Sequence, residues 1–538
     1  MKEILFNCYI YSFLFQKKHG NFYRFALGLI RCSHSIASNN LCLLQVDLSV
    51  LEKKKIPYLE PSIPFGNCSA IALGDWVSQI YREGKSKVES EIKIDIADFI
   101  ITYLYRLGDH LFAITGKKWR NLRVKLTPTF TSGKLKAMFQ TLADCGIVLE
   151  KYIENIAETK EASDIKEILG CYSTDIIGSC AFGLDCNSFK EPNSPFRVYG
   201  KRVFVRNTLD HMKDLFSLTF PKVARALHLR VLSKEVSDFF MKTVENIVAY
   251  REKNSYTRKD FLQLLIEIKN KNGQPNGHKG DGTTLTMDEV AAQCFIFFLA
   301  GFETSSSTTT FALYLLTRHP EIQDKLREEI HTVLERYDDQ ITYDSLSEMK
   351  YMKQVIDESL RLYPPLPFLQ RVSQEDYKIP GEDVIIEKGT PVFIPVIGYH
   401  HDEQYFSNPE VFNPDRFSEE NKKEIPQYSY MPFGDGPRNC IDEVTDEEDI
   451  DENIIGEERM ETDIAGTYEI QPNINSERFG IMQTKVALTS ILRKYRVTLN
   501  KKTKVPLEMD PKSGLLSTKG GVWLNFEKFT KDNRLLVS

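Results

Sequence analysis

A chain of 538 residues with 42% hydrophobic and 27% charged residues can bury a large core, and its ordinary composition excludes a disordered, collagenous or wholly membrane-embedded protein. The net charge of −6 argues against a nucleic-acid partner. Ten cysteines are scattered without CxxC pairs, which gives neither a disulfide framework nor zinc-ligand spacing and points to a reducing compartment.

Residues 1–55 form an atypical N-terminal segment. Its apolar stretch Ile4–Phe15 is followed by Lys17 and Lys18 and falls short of the roughly 20 apolar residues a spanning helix needs. A weak membrane anchor and a buried or interfacial segment both fit, and no small-residue cleavage pattern marks a secretory signal. Ile56 to Pro64 is a Pro-rich, extended lead-in. From Ser132 to Ile268 helical periodicity dominates, with polar breaks near Asn187–Asn193 and Glu252–Arg258. Lys271 to Thr284 reads as an exposed loop. Thr286 then offers a helix N-cap with Glu289 three positions on.

Val290 to Leu316 predicts a long buried helix, apolar on nearly all sides yet too polar at Glu303, Thr304 and the serines for a membrane span. Charged amphipathic helices follow from Pro320 to about Tyr337 and from about Leu346 to Leu362, the latter stopping before Pro364 and Pro365. Short strands are expected at Tyr377–Ile379, Val384–Ile386 and Pro391–Ile394. No repeat, HExxH, P-loop or GxSxG occurs. The expected architecture is mainly α with small β-sheets, in a single large domain over residues 56–538.

Four constellations can carry chemistry. Ala300, Gly301 and Thr304 share one face of the long helix. A small face admits a flat ligand, and the Thr304 hydroxyl can bond back to the Ala300 carbonyl. An ordinary helix-packing contact through Gly301 is the other reading. Glu358 and Arg361 are an i,i+3 pair, common on exposed helices, but a buried Arg would need such a partner. Trp119, Arg123, Arg371 and Arg438 are donors suited to carboxylates. Cys440 closes a loop in which Gly434 and Gly436 permit positive φ and Arg438 favours an anion, conditions that keep a thiolate ionised.

Together these residues resemble the cytochrome P-450 superfamily, in its insect microsomal, foreign-compound-metabolising branch. The pattern F-x-x-G-x-R-x-C runs from Phe433 to Cys440, E-x-x-R is Glu358 and Arg361, and the oxygen-activation segment is Ala300 to Ser305. Phe412 to Phe417 resembles the meander motif, and Trp119 with Arg123 the W-x-x-x-R motif. The resemblance covers roughly Ile56 to Phe526.

It implies a haem-thiolate monooxygenase that carries haem b. Dioxygen would be split and one oxygen atom placed in an apolar small molecule, a xenobiotic such as a plant toxin or insecticide or an endogenous lipophilic compound. Electrons would come from NADPH-cytochrome reductase, with cytochrome b5 as a further donor, at the cytoplasmic face of the endoplasmic reticulum membrane. Cys440 would be the metal ligand. Trp119, Arg123, Arg371 and Arg438 would meet the propionates, with Ala300, Gly301 and Phe433 also against the cofactor. Thr304 and Glu303 would be catalytic, delivering protons to dioxygen. Glu358, Arg361 and Arg416 would form the structural core beneath it. Phe295, Phe298, Leu366 and Phe368 would line the substrate pocket.

Two departures stand out. The family expects Gly two residues after the Cys, where this chain has Asp442. The usual continuation from Glu477 to Gln483 is delayed by the block Asp442–Ser476, which holds 13 acidic residues and one Arg. It reads either as a functional acidic loop or as an unspliced intron or mis-joined exon. The stretch from Gly84 to His110 is also several dozen residues shorter than the family's. The alternative to an active enzyme is therefore a catalytically silent or misassembled haem-thiolate homologue from a faulty gene model.

Overall fold

The computed structural model describes residues 107–204, 232–270, 285–379, 384–441, 479–510, 513 and 515–529. The N-terminal segment, the Pro-rich lead-in, the loop 271–284, most of the short stretch 84–110 and the acidic block 442–476 lie outside these residues. Among the described residues no helix is long and apolar enough to cross a membrane.

In chain order the elements are α1 (Gly116–Leu126), α2 (Ser132–Thr159), β1 (Ser163–Asp164), α3 (Ile165–Ile177), α4 (Pro195–Phe204), α5 (Lys234–Asn254), α6 (Phe261–Asn270) and α7 (Met287–Arg318). They continue with α8 (Pro320–Glu335), α9 (Tyr343–Glu348), α10 (Lys350–Leu362), β2 (Leu369–Val372), β3 (Tyr377–Lys378), β4 (Ile385–Ile386), β5 (Pro391–Ile394), α11 (Val396–His400), α12 (Phe479–Leu492), β6 (Tyr495–Leu499) and β7 (Trp523–Lys528). All strand pairs are antiparallel: β1-β7-β6, β2-β5 and β3-β4. The mainly helical architecture agrees with the sequence reading.

The core is built around α7, which packs along α3, α12, α5 and α10. Its start follows from the capping box: the Glu289 amide donates to Thr286 Oγ1 at 3.2 Å, and the Thr286 amide to Glu289 Oε2 at 2.9 Å. Capping begins the helix at Met287, three residues before its apolar run. The buried Gln293 side chain ties α7 to the chain before α1, accepting from the Leu111 amide and donating to the Asp109 carbonyl, both at 2.9 Å.

The single helix expected over Leu346–Leu362 is two, broken at Met349. Tertiary partners satisfy the backbone groups that the break exposes. The Glu329 carboxylate of α8 accepts from the Tyr351 and Met352 amides at 2.6 and 2.8 Å, and Lys485 of α12 donates to the Leu346 carbonyl at 2.7 Å. β6 alternates strictly as Tyr-Arg-Val-Thr-Leu and β7 alternates over Leu524–Glu527, a pattern the sequence reading passed over, whereas β2 and the two-residue β1 carry none.

His110 is buried, and neither ring nitrogen has a hydrogen-bond partner. Burial pushes its pKa from 6.5 down to about 3, so the folded state keeps the ring neutral while the unfolded chain takes up a proton below its own pKa. Stability from this group is whole above the unfolded pKa of about 6.5 and is lost as pH falls toward 3. His110→Leu removes both the unpaired imidazole and that proton uptake. The unfolding midpoint of this variant should rise, by more at about pH 5 than at about pH 8. Equal shifts at both pH values in thermal denaturation would refute this.

Candidate active site

The support beneath the cysteine loop starts at α10. Arg361 and Glu358 are both fully buried. Arg361 donates through Nε to Glu358 Oε2 at 2.7 Å and through Nη2 to Oε1 at 2.9 Å. Its Nη1 donates to the His400 carbonyl at 2.6 Å and its Nη2 to the Pro409 carbonyl at 2.7 Å. Arg416 and the Asn413 amide add bonds to Glu358 Oε1 at 3.3 and 3.0 Å. A buried ion pair survives only when its remaining donors and acceptors are met, and here they are met by backbone from a distant segment.

His400, which the sequence reading did not single out, carries this support forward. Its Nε2 accepts from the Met431 amide at 3.1 Å, which leaves the proton on Nδ1, 3.1 Å from the Arg361 carbonyl. Burial pushes its pKa down to about 3, so the ring stays neutral. No motif marks this histidine. Only its place between Arg361 and the loop gives it a role.

Met431 begins the loop. The Gly434 amide donates to the Met431 carbonyl at 3.1 Å, the Asn439 amide to Gly436 at 2.9 Å, and the Cys440 amide to Phe433 at 3.0 Å. Gly434 and Gly436 both take φ +76°, a conformation costly for any residue with a Cβ. The coil leaves Cys440 half-buried, with Phe433 also half-buried beside the core.

Three guanidinium groups converge there. Arg123, one turn after Trp119 on α1, donates to the Asn439 carbonyl at 3.0 Å and to Asn439 Oδ1 at 2.9 Å. Arg371 on β2 donates to the Asp435 carbonyl at 3.4 Å. Arg438 donates to the Ile114 carbonyl at 2.7 Å and lies over the Trp119 ring at 4.4 Å. Burial, and then the positive charges of Arg371 and Arg123, push the Arg438 pKa down to about 10. Such a cluster is relieved by an anion, and its planar donors suit paired carboxylates. With a half-buried thiol beside it, this donor set fits an iron porphyrin with two propionates. Asn439 was missed in the sequence because nothing in its type distinguishes it from a turn residue.

α7 carries the next group of candidate residues. Although most of this helix is buried, Ala300 is exposed and Thr304 is partly exposed, forming a short window in a core helix, with the Glu303 side chain largely covered beside it. The Thr304 hydroxyl donates to the Ala300 carbonyl at 2.5 Å, as expected. Glu303 pairs with Lys166 of α3 at 2.9 Å.

Gly301 does not face that window. A Cβ there would sit 2.3 Å from Ile177 Cδ1, so packing against α3 accounts for the glycine. Phe295 and Phe298 likewise turn into the core, meeting Phe240 at 5.1 and 5.2 Å, with Phe196 at 4.9 Å from Phe298. Burial in an aromatic cluster, which local sequence does not encode, takes both out of any pocket lining. Leu366 is exposed, and Phe368 is half-buried near Phe393.

Gly301→Ala should cost about 1–3 kcal/mol through overpacking. Ile177→Val removes the clashing Cδ1 atom and should restore part of that loss in the double variant. Additive losses in thermal unfolding would show that α3 is not the constraint.

The family model for cytochrome P-450 matches residues 83–443, ending two residues into the acidic block. Cytochrome P-450 6a2 of Drosophila melanogaster is 41% identical over 431 residues, 78% of each chain. Cytochrome P-450 6k1 of Blattella germanica is 38% identical, covering 79% of this chain and 76% of its own. Cytochrome P-450 6A1 of Musca domestica is 34% identical, covering 95% and 99%. With the family model matching most of the chain and these relatives aligned along it, the chain belongs to the cytochrome P-450 family of haem-thiolate monooxygenases.

Proposed function

We propose that this chain is a haem b monooxygenase that places one oxygen atom from dioxygen into apolar small molecules, foreign compounds such as plant toxins or insecticides and endogenous lipophiles among them. The observation that carries the reading is the gathering of Arg123, Arg371 and Arg438 around the loop that ends at the half-buried Cys440. The insect relatives support the foreign-compound class. The electron donor is NADPH-cytochrome reductase, assisted by cytochrome b5, and the site of action is the cytoplasmic face of the endoplasmic reticulum. Residues 56–538 form the catalytic domain, with 1–55 as the membrane-associating segment.

Haem supplies, when bound, the iron that activates dioxygen. The residues do the rest. The Cys440 thiolate would hold the iron, presented by a loop that Arg361 and His400 brace. Arg123, Arg371 and Arg438, with Trp119 behind Arg438, would bind the propionates. Ala300 would leave room for the cofactor at the window of α7, and Phe433 would lie against it. Thr304 holds a proton at its hydroxyl beside Ala300, and Glu303 is the acid that resupplies it. Glu358 and Arg416 keep Arg361 in place.

Cys440→Ser should abolish the thiolate-dependent Soret band of the reduced carbon monoxide complex. Arg438→Leu should load less haem with a thiolate-type band in what remains. A Cys440→Ser variant with an unaltered band would overturn the reading.

A second reading, a chain that loads haem poorly or accepts electrons slowly, is favoured by the block of 13 acidic residues directly after Ile441. A helix that follows the ligand loop at once lends its N-terminal dipole to the thiolate. Concentrated negative charge repels an acidic reductase. Replacing residues 442–476 by a single Gly should increase the reduced carbon monoxide band and the rate of reduction by NADPH and reductase. Unchanged values for both would dismiss this reading.

A further inference from the structure

A cavity of about 530 Å³ opens between the end of α2 and the β6-β7 pair. Its volume suits a small molecule, and none of its lining residues belongs to the cysteine loop or the support beneath it. One side is a stripe of α2 on which Glu150, Glu154 and Glu158 recur at i,i+4 spacing. Glu150 is buried and neutralised: Arg493 donates through Nε to its Oε2 at 2.7 Å, and Lys494 pairs with its Oε1. Glu154 and Glu158 line the cavity, and neither makes a hydrogen bond or ion pair among the described residues. Glu527 of β7 lines it too and is equally unpaired there. The C-terminal carbonyls of α2 bring the negative end of the helix to the same place, and its last turn holds no basic residue. Lys160 and Lys528 also border the cavity, both exposed to solvent.

The second observation is Tyr495 of β6. It lines the cavity and is 1% exposed, yet its hydroxyl has no hydrogen-bond partner among the described residues. A buried phenol ordinarily finds one. Burial, then the charges of Glu154, Glu150 and Glu158, push its pKa up to about 12, so the hydroxyl keeps its proton and its oxygen stays free to accept. The leading charges acting on it are those of the α2 stripe, which directs the hydroxyl at the carboxylates across the cavity.

Unpaired carboxylates, a helix C-terminus and a phenol oxygen together favour a cation. A bare metal ion does not fit, because among the described residues no three acidic, His or Cys side chains are placed to hold one. The carboxylates come from two elements, and Ala157 and Phe526 add apolar surface to the lining. We propose that this cavity binds an aliphatic diamine in its doubly protonated form. One ammonium lies at Glu154 and Glu158, donating to the Tyr495 hydroxyl oxygen, and the other reaches Glu527, with the hydrocarbon chain against Ala157 and Phe526.

Isothermal titration of the full-length holoprotein with hexamethylenediamine tests this, with hexylamine as the single-ammonium comparison. The diamine should bind more tightly than hexylamine and weaken as salt is added. Glu154→Gln combined with Glu158→Gln should weaken it about tenfold, and Tyr495→Phe about threefold. Glu527→Gln should remove most of the advantage of the diamine over hexylamine. These ratios should persist when residues 442–476 are replaced by a single Gly, and the Soret band should stay in place throughout. In thermal unfolding without amine, the double Gln variant should melt no lower than the parent, because its carboxylates lose no partner and repel each other at i,i+4 spacing. An affinity that the double variant leaves unchanged would put the amine on the acidic block or on the iron and overturn the proposal, as would the absence of binding. A lower melting point of the double variant would show that the carboxylates already have partners within the chain, with the same consequence.

Discussion

The buried guanidinium of Arg361 is the constraint on which the site depends. A charge with no solvent exposure is tolerable only when every donor is met. Glu358 meets part of the need within the same helix. The rest must come from the His400 and Pro409 carbonyls, so the chain from β5 to the segment before Pro414 has to wrap around α10. Once it does, His400 stands where its ring can join the Arg361 carbonyl to the Met431 amide, and the cysteine loop begins from a fixed point. The electrostatic need of one side chain thus sets the position of a thiol about eighty residues away, a separation read from the numbering of Arg361 and Cys440.

α7 obeys a different constraint. It is a core helix and most of its faces pack against other helices, yet part of it stays open. The solution is a short window around Ala300 and Thr304, with Gly301 on the packed side drawing α3 close through Ile177. Polar groups near the window are engaged locally: Thr304 with the Ala300 carbonyl, Ser305 with the Gly301 carbonyl at 2.6 Å, and Glu303 with Lys166. Hydroxyls that bond back along the helix satisfy most of a polar run inside a core, although Ser307 Oγ is left without a partner.

The positive charge of the site is the counterpart of this economy. Arg123, Arg371 and Arg438 come from separate parts of the chain and are held by carbonyls and an Asn, which fixes their geometry. A set of like charges in a half-buried place is costly until an anion arrives. The depressed pKa of Arg438 records that cost.

The sequence by itself determined the identity of the chemistry. The Gly-rich cysteine loop, the E-x-x-R pair and the Thr286 capping box depend on residues within one or two turns of each other, and local backbone rules suffice to read them. It also exposed the acidic block after Ile441, because composition needs no fold to be seen. Tertiary structure alone decided the rest. Met349 breaks a continuous helical pattern because Glu329 and Lys485, from other helices, satisfy the backbone at the break. Phe295, Phe298 and Gly301 face the core and not the cavity because their neighbours Phe240, Phe196 and Ile177 come from distant segments. His400 and Asn439 gain their places the same way. A hydrogen bond or ion pair across more than a hundred residues leaves no periodic trace in the chain, as Arg123 with Asn439 and Lys166 with Glu303 illustrate.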